Sequence, residues 1–412
     1  MADLELDIAD AQSAVLSHLS PAPPAALGLA DALGRVLAAD QHARWPLPSG
    51  DVATMDGWAV RSADLLAHPA DARVALRPAG ESAAGHPLDV PLEPGLAARI
   101  FTGALLPPGA DAVVAQEDAH VLADSLEIDR AAVGPRFATG HFTRRAGSDV
   151  ADGALLLRAG SVLGPGELAL LAGCGHTTVP VHRPPRIALL STGDELVPVG
   201  AWPQRGQVVD SNGLMLACML RRAGADVDDL GIVADNPAAL HAAFARACEA
   251  DLIVSCGGIS VGDHDLVLPT MLAHGAELIF RRVNMRPGRP TTFARIPAGE
   301  RSVFVFALPG NPASANVACE LFVRPAIRRL LGHAVVTRET RSVTLAAPAA
   351  RERKRTHVLR ARLSGDQATP LADQTSGALR SIAGHDALLI LSPGPGPLPA
   401  GEPVPALLLD PA

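Results

Sequence analysis

A strand-like run followed by a glycine-rich acidic loop constrains the fold more than any other stretch of this sequence. Residues 252–255 form a short apolar run without polar alternation, which is typical of a strand buried on both faces of a parallel sheet. Three glycines between residues 257 and 262 allow tight turns and a close approach of backbone to ligand. Asp263 and Asp265 follow, and a helical pattern covers residues 266–274. The stretch predicts a strand, an acidic loop and a helix at the ligand-binding edge of an α/β sheet, although an ordinary turn with solvated aspartates explains it equally well in isolation.

The same alternation of strand, loop and helix extends from about residue 185 to about residue 331. It predicts a parallel sheet with right-handed crossovers. Asn236 and Asn311, each followed by proline, are predicted to cap helices, and Ser211 is a candidate cap for another. The predicted strands cover residues 187–190, 229–233, 252–255, 279–283 and 303–307, and the predicted helices cover residues 212–223, 237–250, 266–274 and 312–331.

The sequence on either side of this region has a different character. Residues 7–19 and 30–39 predict two amphipathic helices, and residues 74–136 predict short strands and turns. The tail after residue 332 alternates apolar and polar residues between glycines and prolines, which predicts a small β-barrel or sandwich. A length of 412 residues exceeds what one hydrophobic core usually supports, so we expect two to four domains.

The composition argues against several classes of protein. A hydrophobic content of 48% with 19% charged residues indicates a globular chain. The net charge of -8 argues against a general nucleic-acid binder, and no stretch approaches the roughly 20 apolar residues that a membrane helix needs. The five cysteines form no Cys-x-x-Cys pair, so neither a zinc site nor a disulfide framework is indicated. The acidic N-terminus lacks an apolar signal core, so we expect a cytoplasmic protein.

Polar turns from several strand ends should meet at one edge of the predicted sheet. A helix N-terminus binds phosphate through its N–H groups, paired arginines grip oxyanions, and carboxylates hold Mg²⁺ together with substrate phosphates. The combination predicts a phosphorylated ligand with a metal, and phosphoryl or nucleotidyl chemistry. The candidate residues at this edge are Asp194, Glu195, Asp235, Asp263, Asp265, Arg286, Arg289 and the helix start after Asn311.

Five motifs occur in an order that resembles one known family. They are Met-Asp-Gly-Trp-Ala at residues 55–59, Phe-Thr-Gly-Ala at 101–104, Ser-Thr-Gly-Asp-Glu at 191–195, Ser-Cys-Gly-Gly-Ile-Ser-Val-Gly at 255–262 and Leu-Pro-Gly-Asn-Pro at 308–312. In this order the chain resembles the MoeA family of molybdopterin molybdenumtransferases and is similar to the E domain of gephyrin. The resemblance covers nearly the whole chain.

The resemblance implies a four-part architecture of α/β and β domains. An elongated, dimer-forming N-terminal domain would comprise residues 1–45 and 138–182, with a β-rich domain of residues 46–137 inserted in it. A molybdopterin-binding, doubly wound α/β domain would cover residues 183–332, and a β-barrel would cover residues 333–412. The family also implies a homodimer whose site lies between the α/β domain of one subunit and the N-terminal domains of the other.

The resemblance further implies the reaction and the residues that carry it. Molybdate would be inserted into adenylylated molybdopterin, with Mg²⁺ as cofactor and AMP as product. The implied catalytic residues are Asp56, Thr102, Asp149, Glu195, Asp235 and Asp265, of which Glu195, Asp235 and Asp265 would hold the metal. The implied substrate-binding residues are Arg144, Gly257, Gly258, Ser260 and Asn311. The implied molybdate pocket contains Arg286, Arg289, Pro309, Arg355 and Ser376.

The sequence departs from the family pattern at a few positions. Arg286-Pro-Gly-Arg289-Pro stands where Lys-Pro-Gly-Lys-Pro is usual, which keeps the charge but replaces each ammonium by a larger, planar guanidinium. Trp58 replaces a usual tyrosine and so removes a hydroxyl, and His357 replaces a usual acidic residue. His264, between the two loop aspartates, is expected to be solvated.

Two alternative functions differ from the transferase in what they require. An adenylyltransferase or nucleotide hydrolase would resemble only residues 185–331, so the N-terminal motifs and the β-rich tail count against it. A non-catalytic carrier or scaffold would hold molybdopterin without turnover, and the complete set of Asp and Glu positions counts against that reading. The expected partners are an adenylyltransferase that supplies the substrate and chaperones of molybdoenzymes, with no nucleic acid and no membrane.

Overall fold

The structure is a computed structural model that describes residues 5–259 and 266–409. Its N-terminal half consists mainly of short strands. In chain order the elements are β1 (Glu5–Leu6), α1 (Ile8–His18), β2 (Pro24–Gly28), β3 (Gln41–His42), β4 (Val52–Ala53), β5 (Gly57–Val60), α2 (Ser62–Leu66), β6 (Arg73–Ser82), β7 (Leu96–Ile100), β8 (Ala112–Ala115), β9 (Ala119–Val121), β10 (Leu126–Asp129), α3 (Arg130–Val133), β11 (Thr143–Arg144), β12 (Leu155–Leu157), α4 (Pro165–Gly173) and β13 (Thr178–His182).

Two separated segments of this half pair as antiparallel ribbons. β2 pairs with β13, β3 with β12 and β4 with β11. The predicted helix at residues 7–19 is confirmed as α1, but the predicted helix at residues 30–39 is wrong. A 3-10 turn covers Leu29–Asp31, and Gly34 adopts a positive φ of 74°. Val36 and Leu37 form isolated β-bridges to Val162 and Val181 of the other segment. Burial of these two apolar side chains at 2% and 0% exposure favours the extended backbone over a helix.

The region between the ribbons forms a mixed sheet with strand order β8-β5-β7-β6-β10-β9. This confirms the prediction of short strands and turns at residues 74–136. Its core is mainly aliphatic and includes Val60, Leu76, Val114 and Ile128, together with Trp58 and Phe137. Gly57 is required at the start of β5, because a Cβ there would lie 1.9 Å from the carbonyl oxygen of Val114.

The following region alternates strands and helices. Its elements are β14 (Arg186–Thr192), β15 (Leu196–Val197), β16 (Val208–Val209), α5 (Ser211–Arg222), β17 (Asp226–Val233), α6 (Pro237–Ala247), β18 (Leu252–Cys256), α7 (Val267–Ala273), β19 (Glu277–Phe280), β20 (Arg282–Val283), β21 (Met285–Arg286), β22 (Thr292–Ala298), β23 (Arg301–Leu308), α8 (Pro312–Ala318) and α9 (Arg324–Leu330). A π-helical turn, Cys319–Val323, joins α8 to α9.

The central sheet has the strand order β17-β14-β18-β23-β22-β19. β17, β14, β18 and β23 are parallel, and every residue of β18 is buried, as predicted for a central strand. The predicted parallel sheet therefore forms, and β22 and β19 add an antiparallel edge that the sequence did not predict. A tight turn at residues 299–300 connects β22 to β23, and such a hairpin needs no crossover helix.

The helix starts in this region differ partly from the predicted caps. Asn236 caps α6 through its side chain, which accepts a hydrogen bond from the Ala239 N–H. Ser211 is the first residue of α5, and the cap is Asp210, whose carboxylate accepts from the Gly213 N–H at 2.8 Å. Asn311 precedes α8 without a side-chain capping bond.

The C-terminal region is a closed β-barrel built from β24 (Thr340–Leu345), β25 (Thr356–Ser364), β26 (Gln367–Pro370), β27 (Ala387–Leu391) and β28 (Pro403–Leu408). The strands pair in the circle β25-β26-β24-β28-β27 and back to β25, so the barrel alternative of the predicted tail is the one that forms. β21 pairs in parallel with β25 and so attaches the barrel to the central region. None of the described helices is long and apolar enough to cross a membrane.

Candidate functional site

A cavity of about 430 Å³, called here the main cavity, opens where β14, β18 and β23 end. It therefore lies at the carboxyl edge of the parallel strands, where ligands of open α/β sheets bind. Polar and glycine-containing turns supply most of its walls, with a few apolar side chains between them. The lining residues are Ser191, Thr192, Gly193, Glu195, Leu196, Asp210, Asn212, Asp235, Cys256, Gly257, Gly258, Ile259, Pro290, Pro309, Gly310 and Asn311.

Two glycines of the predicted loop shape one wall of the main cavity. Gly257 has a φ of 91°, and a Cβ on it would lie 2.3 Å from the carbonyl oxygen of Thr192. Gly258 has a φ of 66°, and a Cβ there would lie 2.6 Å from a methyl group of Val267. Only glycine accommodates both the left-handed backbone and these contacts. The end of β18 thus packs directly on the end of β14 and leaves main-chain groups at the cavity wall.

Carboxylates form another part of the wall. Glu195 and Asp235, two of the candidate residues, both line the main cavity. The Thr192 hydroxyl donates to Asp235 Oδ1 at 2.9 Å, and the Asp235 N–H donates to Asp194 at 3.3 Å. These hydrogen bonds hold the turn after β17 against the turn after β14. Among residues 5–259 and 266–409 no group of three His, Cys, Asp or Glu side chains is placed to hold a metal ion. Two carboxylates in one polar cavity do fit Mg²⁺, which takes its remaining ligands from substrate phosphates and water.

The turn before α8 forms a further part of the cavity wall. Pro309, Gly310 and Asn311 line the cavity there. The Ala313 N–H donates to the carbonyl oxygen of Ser376 at 3.0 Å, so a loop of the barrel reaches the first turn of this helix. The structure therefore brings Pro309, Asn311 and Ser376 together, although they belong to two different regions of the fold.

Several residues of the main cavity were not predicted from the sequence. The side-chain amide of Asn212 donates to the Gly310 carbonyl at 2.6 Å, and its Oδ1 is buried without a hydrogen-bond partner in the described part of the chain. Asp210 also lines the cavity while it caps α5. The sequence signal that could have identified these two residues is the polar triplet Asp210-Ser211-Asn212 directly before a helical pattern.

Cys256 at the end of β18 lines the cavity but is not a candidate nucleophile. Burial raises the pKa of its thiol to about 12, so the sulfur stays protonated at neutral pH. Its Sγ lies 3.6 Å from the Pro309 carbonyl oxygen, which places β18 against the turn that follows β23. All five cysteines, each within the described residues, are free thiols.

The predicted arginine pair is engaged with carboxylates that the sequence did not connect to it. Arg289 donates through Nε and Nη2 to Glu5 at 2.7 and 3.0 Å, and Arg286 is ion-paired with Glu352. These hydrogen bonds lower the pKa of both Glu5 and Glu352. The half-exposed Arg355 adds to both effects through its charge, so it lies near both pairs. The three arginines thus meet two acidic side chains, and Pro290 next to Arg289 lines the main cavity.

The remaining described candidates form a separate cluster in the N-terminal half. Asp56 Oδ1 accepts from the Thr102 N–H at 2.8 Å and from its hydroxyl at 2.9 Å, which lowers the pKa of Asp56. Arg144 lies 3.5 Å from Asp149, with both side chains more than half exposed. β11, which ends at Arg144, pairs with β4 just before Asp56. These residues do not line the main cavity of the same chain.

Two residues that depart from the family pattern make specific local contacts. Trp58 is 7% exposed, and the Arg99 guanidinium lies 5.7 Å from the centre of its ring, a cation–π geometry. His357 is buried, and this burial lowers its pKa, while its Nδ1 lies 3.0 Å from the Ala350 carbonyl. Ser260 and Asp265, together with Asp263 and His264, lie outside the described residues.

Comparison with known families accounts for nearly the whole chain. The MoeA N-terminal region (domain I and II) matches residues 6–175. A probable molybdopterin binding domain matches residues 188–329. The MoeA C-terminal region (domain IV) matches residues 342–409. The main cavity therefore lies within the segment that matches a molybdopterin-binding domain.

Individual proteins and structures agree with these family matches. Molybdopterin molybdenumtransferase 2 of Mycobacterium tuberculosis is 34% identical over 388 residues, which cover 92% of this chain and 93% of that protein. The molybdopterin molybdenumtransferase of a Nostoc species is 39% identical over 300 residues, which cover 73% of this chain and 67% of that protein. The crystal structure of the molybdopterin biosynthesis MoeA protein from Pyrococcus horikosii matches with a TM-score of 0.88 and 29% identity, covering 99% of this chain and all of that one.

Proposed function

Because the chain belongs to the MoeA family of molybdopterin molybdenumtransferases, it serves molybdenum cofactor biosynthesis, and we propose that it inserts molybdate into adenylylated molybdopterin with release of AMP. The main cavity carries this proposal. It combines a glycine turn, a helix start and the carboxylates of Glu195 and Asp235 within about 430 Å³ at one sheet edge. These are the groups that a phosphoanhydride ligand requires: main-chain donors and a helix terminus for its phosphates, and carboxylates for an accompanying cation.

The substrate phosphates are proposed to bind against Gly257, Gly258 and the first turn of α8 after Asn311. Close main-chain packing at the two glycines supports this assignment, since it leaves no side chain between backbone and ligand. Ser260, which follows in the sequence, is proposed to add a hydroxyl. The positive end of the long helix that begins at Pro312 would stabilise the charge of AMP as it leaves.

Glu195 and Asp235, with Asp265, are the residues proposed to hold Mg²⁺. When bound, the ion would neutralise phosphate oxygens of the substrate. Asp235 is oriented for this role by the hydrogen bond from Thr192, which leaves its other carboxylate oxygen for a ligand. Glu195, which also lines the cavity, would act from the turn that follows β14.

Molybdate is proposed to enter beside Arg286, Arg289 and Arg355, near Pro309 and Ser376. Each of the first two arginines already has a carboxylate partner, and Arg355 lies near both of these pairs. The net charge of the cluster stays positive. An entering oxyanion would therefore compete with Glu5 and Glu352 for the same guanidinium groups.

The active unit is proposed to be a homodimer in which Asp56, Thr102, Arg144 and Asp149 of one subunit complete the main cavity of the other. This arrangement is supported by the exposure of this cluster and by its separation from the main cavity within one chain. The proposed domains remain residues 1–45 with 138–182, 46–137, 183–332 and 333–412. A cytoplasmic setting is proposed, with an adenylyltransferase as substrate donor and molybdoenzyme chaperones as acceptors.

Subunit complementation tests the shared site. Asp56→Asn and Asp235→Asn should each abolish most AMP release, because each would damage both sites of its own dimer. A mixed dimer then has one site with both substitutions and one with neither, so about half of the wild-type rate per active heterodimer should return. Asp228→Asn, which removes a surface partner of Arg246 outside the main cavity, is the matched control and should keep full activity. Failure of the mixture to recover activity would contradict the shared site.

A carrier function without turnover is the second candidate. The observation that favours it is the engagement of Arg286 and Arg289 by Glu352 and Glu5, which reduces their charge toward an anion. A carrier would bind adenylylated molybdopterin tightly but would release no AMP when molybdate is added. The wild-type measurement of AMP release distinguishes the two functions.

A further inference from the structure

The main chain at Asp56 and Gly57 is held from the two strands on either side of β5. The N–H of Gln116, the residue after β8, donates to the Asp56 carbonyl at 3.1 Å. Nη1 of Arg99, in β7, donates to the Gly57 carbonyl at 3.3 Å. Nη2 of Arg99 also donates to the side-chain oxygen of Gln116 at 2.7 Å, which closes a ring of hydrogen bonds. Arg99, Gln116 and the two carbonyl groups are called here the Asp56 clamp.

Two aromatic rings fix Arg99 in the Asp56 clamp. β5 and β7 are antiparallel, and Trp58 lies directly opposite Arg99. The guanidinium carbon lies 5.7 Å from the centre of the Trp58 ring and 5.1 Å from that of Phe101. Stacking on aromatic rings restricts a guanidinium group while its charge is kept. Arg99 therefore has little freedom to leave its two oxygen acceptors.

The carboxylate of Asp56 is held from a second anchored segment. Its Oδ1 accepts both the N–H and the hydroxyl bond of Thr102. The turn that carries Thr102 is tied to β4, because the Gly103 N–H donates to the Ala53 carbonyl at 2.8 Å. The clamp thus fixes the main chain of Asp56, and the Thr102 turn fixes its side chain.

This fixation concerns an exposed side chain. Ordering an exposed charged group costs conformational entropy and adds little to stability. Both bonds from Thr102 go to Oδ1 of Asp56, so Oδ2 is the oxygen that can reach a ligand outside the chain. A rigid carboxylate with one oxygen directed outward is what a preorganised functional site requires.

We propose that Arg99 and Gln116 are positioning residues that keep the Asp56 carboxylate in the orientation in which it serves the shared site. This inference rests on the proposed function, in which Asp56 of one subunit completes the main cavity of the other. Both residues act through Asp56 and not on the substrate. The Thr102 hydrogen bonds, and to a smaller extent the charge of Arg99, lower the pKa of Asp56, so the positioned carboxylate is ionised.

Rates of molybdate-dependent AMP release by full-length variants test the proposal. Arg99→Gln should lower kcat about tenfold or more with little change in KM, since loss of a group that orients a functional residue typically costs roughly 10–100-fold. Gln116→Leu should cause a similar loss, and Gln116→Glu, which keeps an oxygen that accepts from Arg99, should retain most of the rate. Arg73→Gln, which breaks an exposed pair with Glu127 in the same sheet, is the matched control and should keep the wild-type rate.

Mixed dimers separate the positioning of Asp56 from a general loss of structure. Arg99→Gln mixed with Asp235→Asn should recover about half of the wild-type rate per heterodimer, because one of the two equivalent sites then contains neither substitution. Arg99→Gln mixed with Asp56→Asn should show no such recovery, because each site then contains one of them. Within one chain, Arg99→Gln should not slow Asp56→Asn further, since it acts only through that carboxylate.

Titration of Asp56, followed by carbon-13 NMR of the full-length protein, tests the clamp without turnover. Gln116→Leu removes no charge, so a higher pKa of Asp56 in this variant would report weaker hydrogen bonds from Thr102 and support the proposal. Wild-type protein that releases no AMP would contradict the proposed transferase, and this titration would then decide on the clamp by itself.

Three results would overturn the positioning role. They are an unchanged pKa of Asp56 in Gln116→Leu, equal kcat values of Arg99→Gln and Arg73→Gln, and recovery of activity when Arg99→Gln is mixed with Asp56→Asn. A role of Arg99 in stability alone predicts the second result together with a lower urea midpoint for Arg99→Gln than for Arg73→Gln.

Discussion

Replacement of Gly257 by alanine should damage the main cavity far more than the same replacement at an open turn. Gly257 has a φ of 91°, and the new Cβ would lie 2.3 Å from the Thr192 carbonyl oxygen, whereas ordinary contact begins near 3.4 Å. β14 and β18 would have to separate by about 1 Å at the cavity wall. Gly206 is the matched control, because it has a φ of 86° with no atom within 4 Å of the added Cβ.

Both substitutions strain the backbone, and Gly257→Ala also creates a steric clash. An alanine in the left-handed region loses about 1–2 kcal/mol at either position. At Gly257 the forced displacement in a packed region adds about 1–3 kcal/mol. Gly257→Ala should therefore lower the free energy of unfolding by about 2–5 kcal/mol, and Gly206→Ala by about 1–2 kcal/mol.

Urea unfolding and AMP binding to the folded variants measure the two consequences. Gly257→Ala should show the larger drop in midpoint and a clear loss of AMP affinity, because the strand ends that shape the cavity move. Gly206→Ala should retain the wild-type affinity. Equal destabilisation by the two variants, with unchanged AMP binding in both, would refute the close-packing argument for this wall.

Two further predictions concern buried titratable side chains. Glu320→Gln should cost about 3–5 kcal/mol in urea unfolding, because it removes a buried carboxylate that pairs with Arg324 and Arg338. Glu277→Gln, which breaks an exposed pair with Arg295, should cost less than about 1 kcal/mol, and similar midpoints for both variants would contradict this. The pKa of His333 is about 4 in the folded protein and 6.5 in the unfolded chain. Between these pH values the imidazole takes up a proton only when the chain unfolds, so the wild type should lose stability as pH falls from 6.5 to about 4. His333→Gln should show a smaller loss over that window, and identical pH profiles would exclude the histidine as a source.

The local sequence patterns predicted the centre of the fold well. The unbroken apolar run at residues 252–255 required a strand buried on both faces, and β18 is fully buried. Asn236 with Pro237 marked a helix start correctly, because both residues act within one turn of the chain. β22 was not predicted, because no helix separates residues 292–298 from β23 and the expected alternation of strand and helix is interrupted there. The tight hairpin that pairs the two strands also has little sequence signature.

Partners distant in sequence could not be predicted in the same way. The carboxylates that engage Arg289 and Arg286 are Glu5 and Glu352, and neither forms a motif with its partner. The cap of α5 is Asp210 and not the predicted Ser211, because both residues lie close enough to the first turn to cap it. Glu320 pairs with Arg338 from a separate segment of the chain, so this contact became apparent only when the fold brought the two residues together.

A single-turnover experiment on the wild-type protein tests the central claim most directly. Adenylylated molybdopterin is bound in the presence of Mg²⁺, molybdate is added, and released AMP and protein-bound molybdenum are quantified together. The proposed transferase predicts AMP release that depends on molybdate, with about one molybdenum retained for each AMP released. Tight binding of the substrate with no AMP release after molybdate is added would contradict the transferase and leave a carrier of molybdopterin.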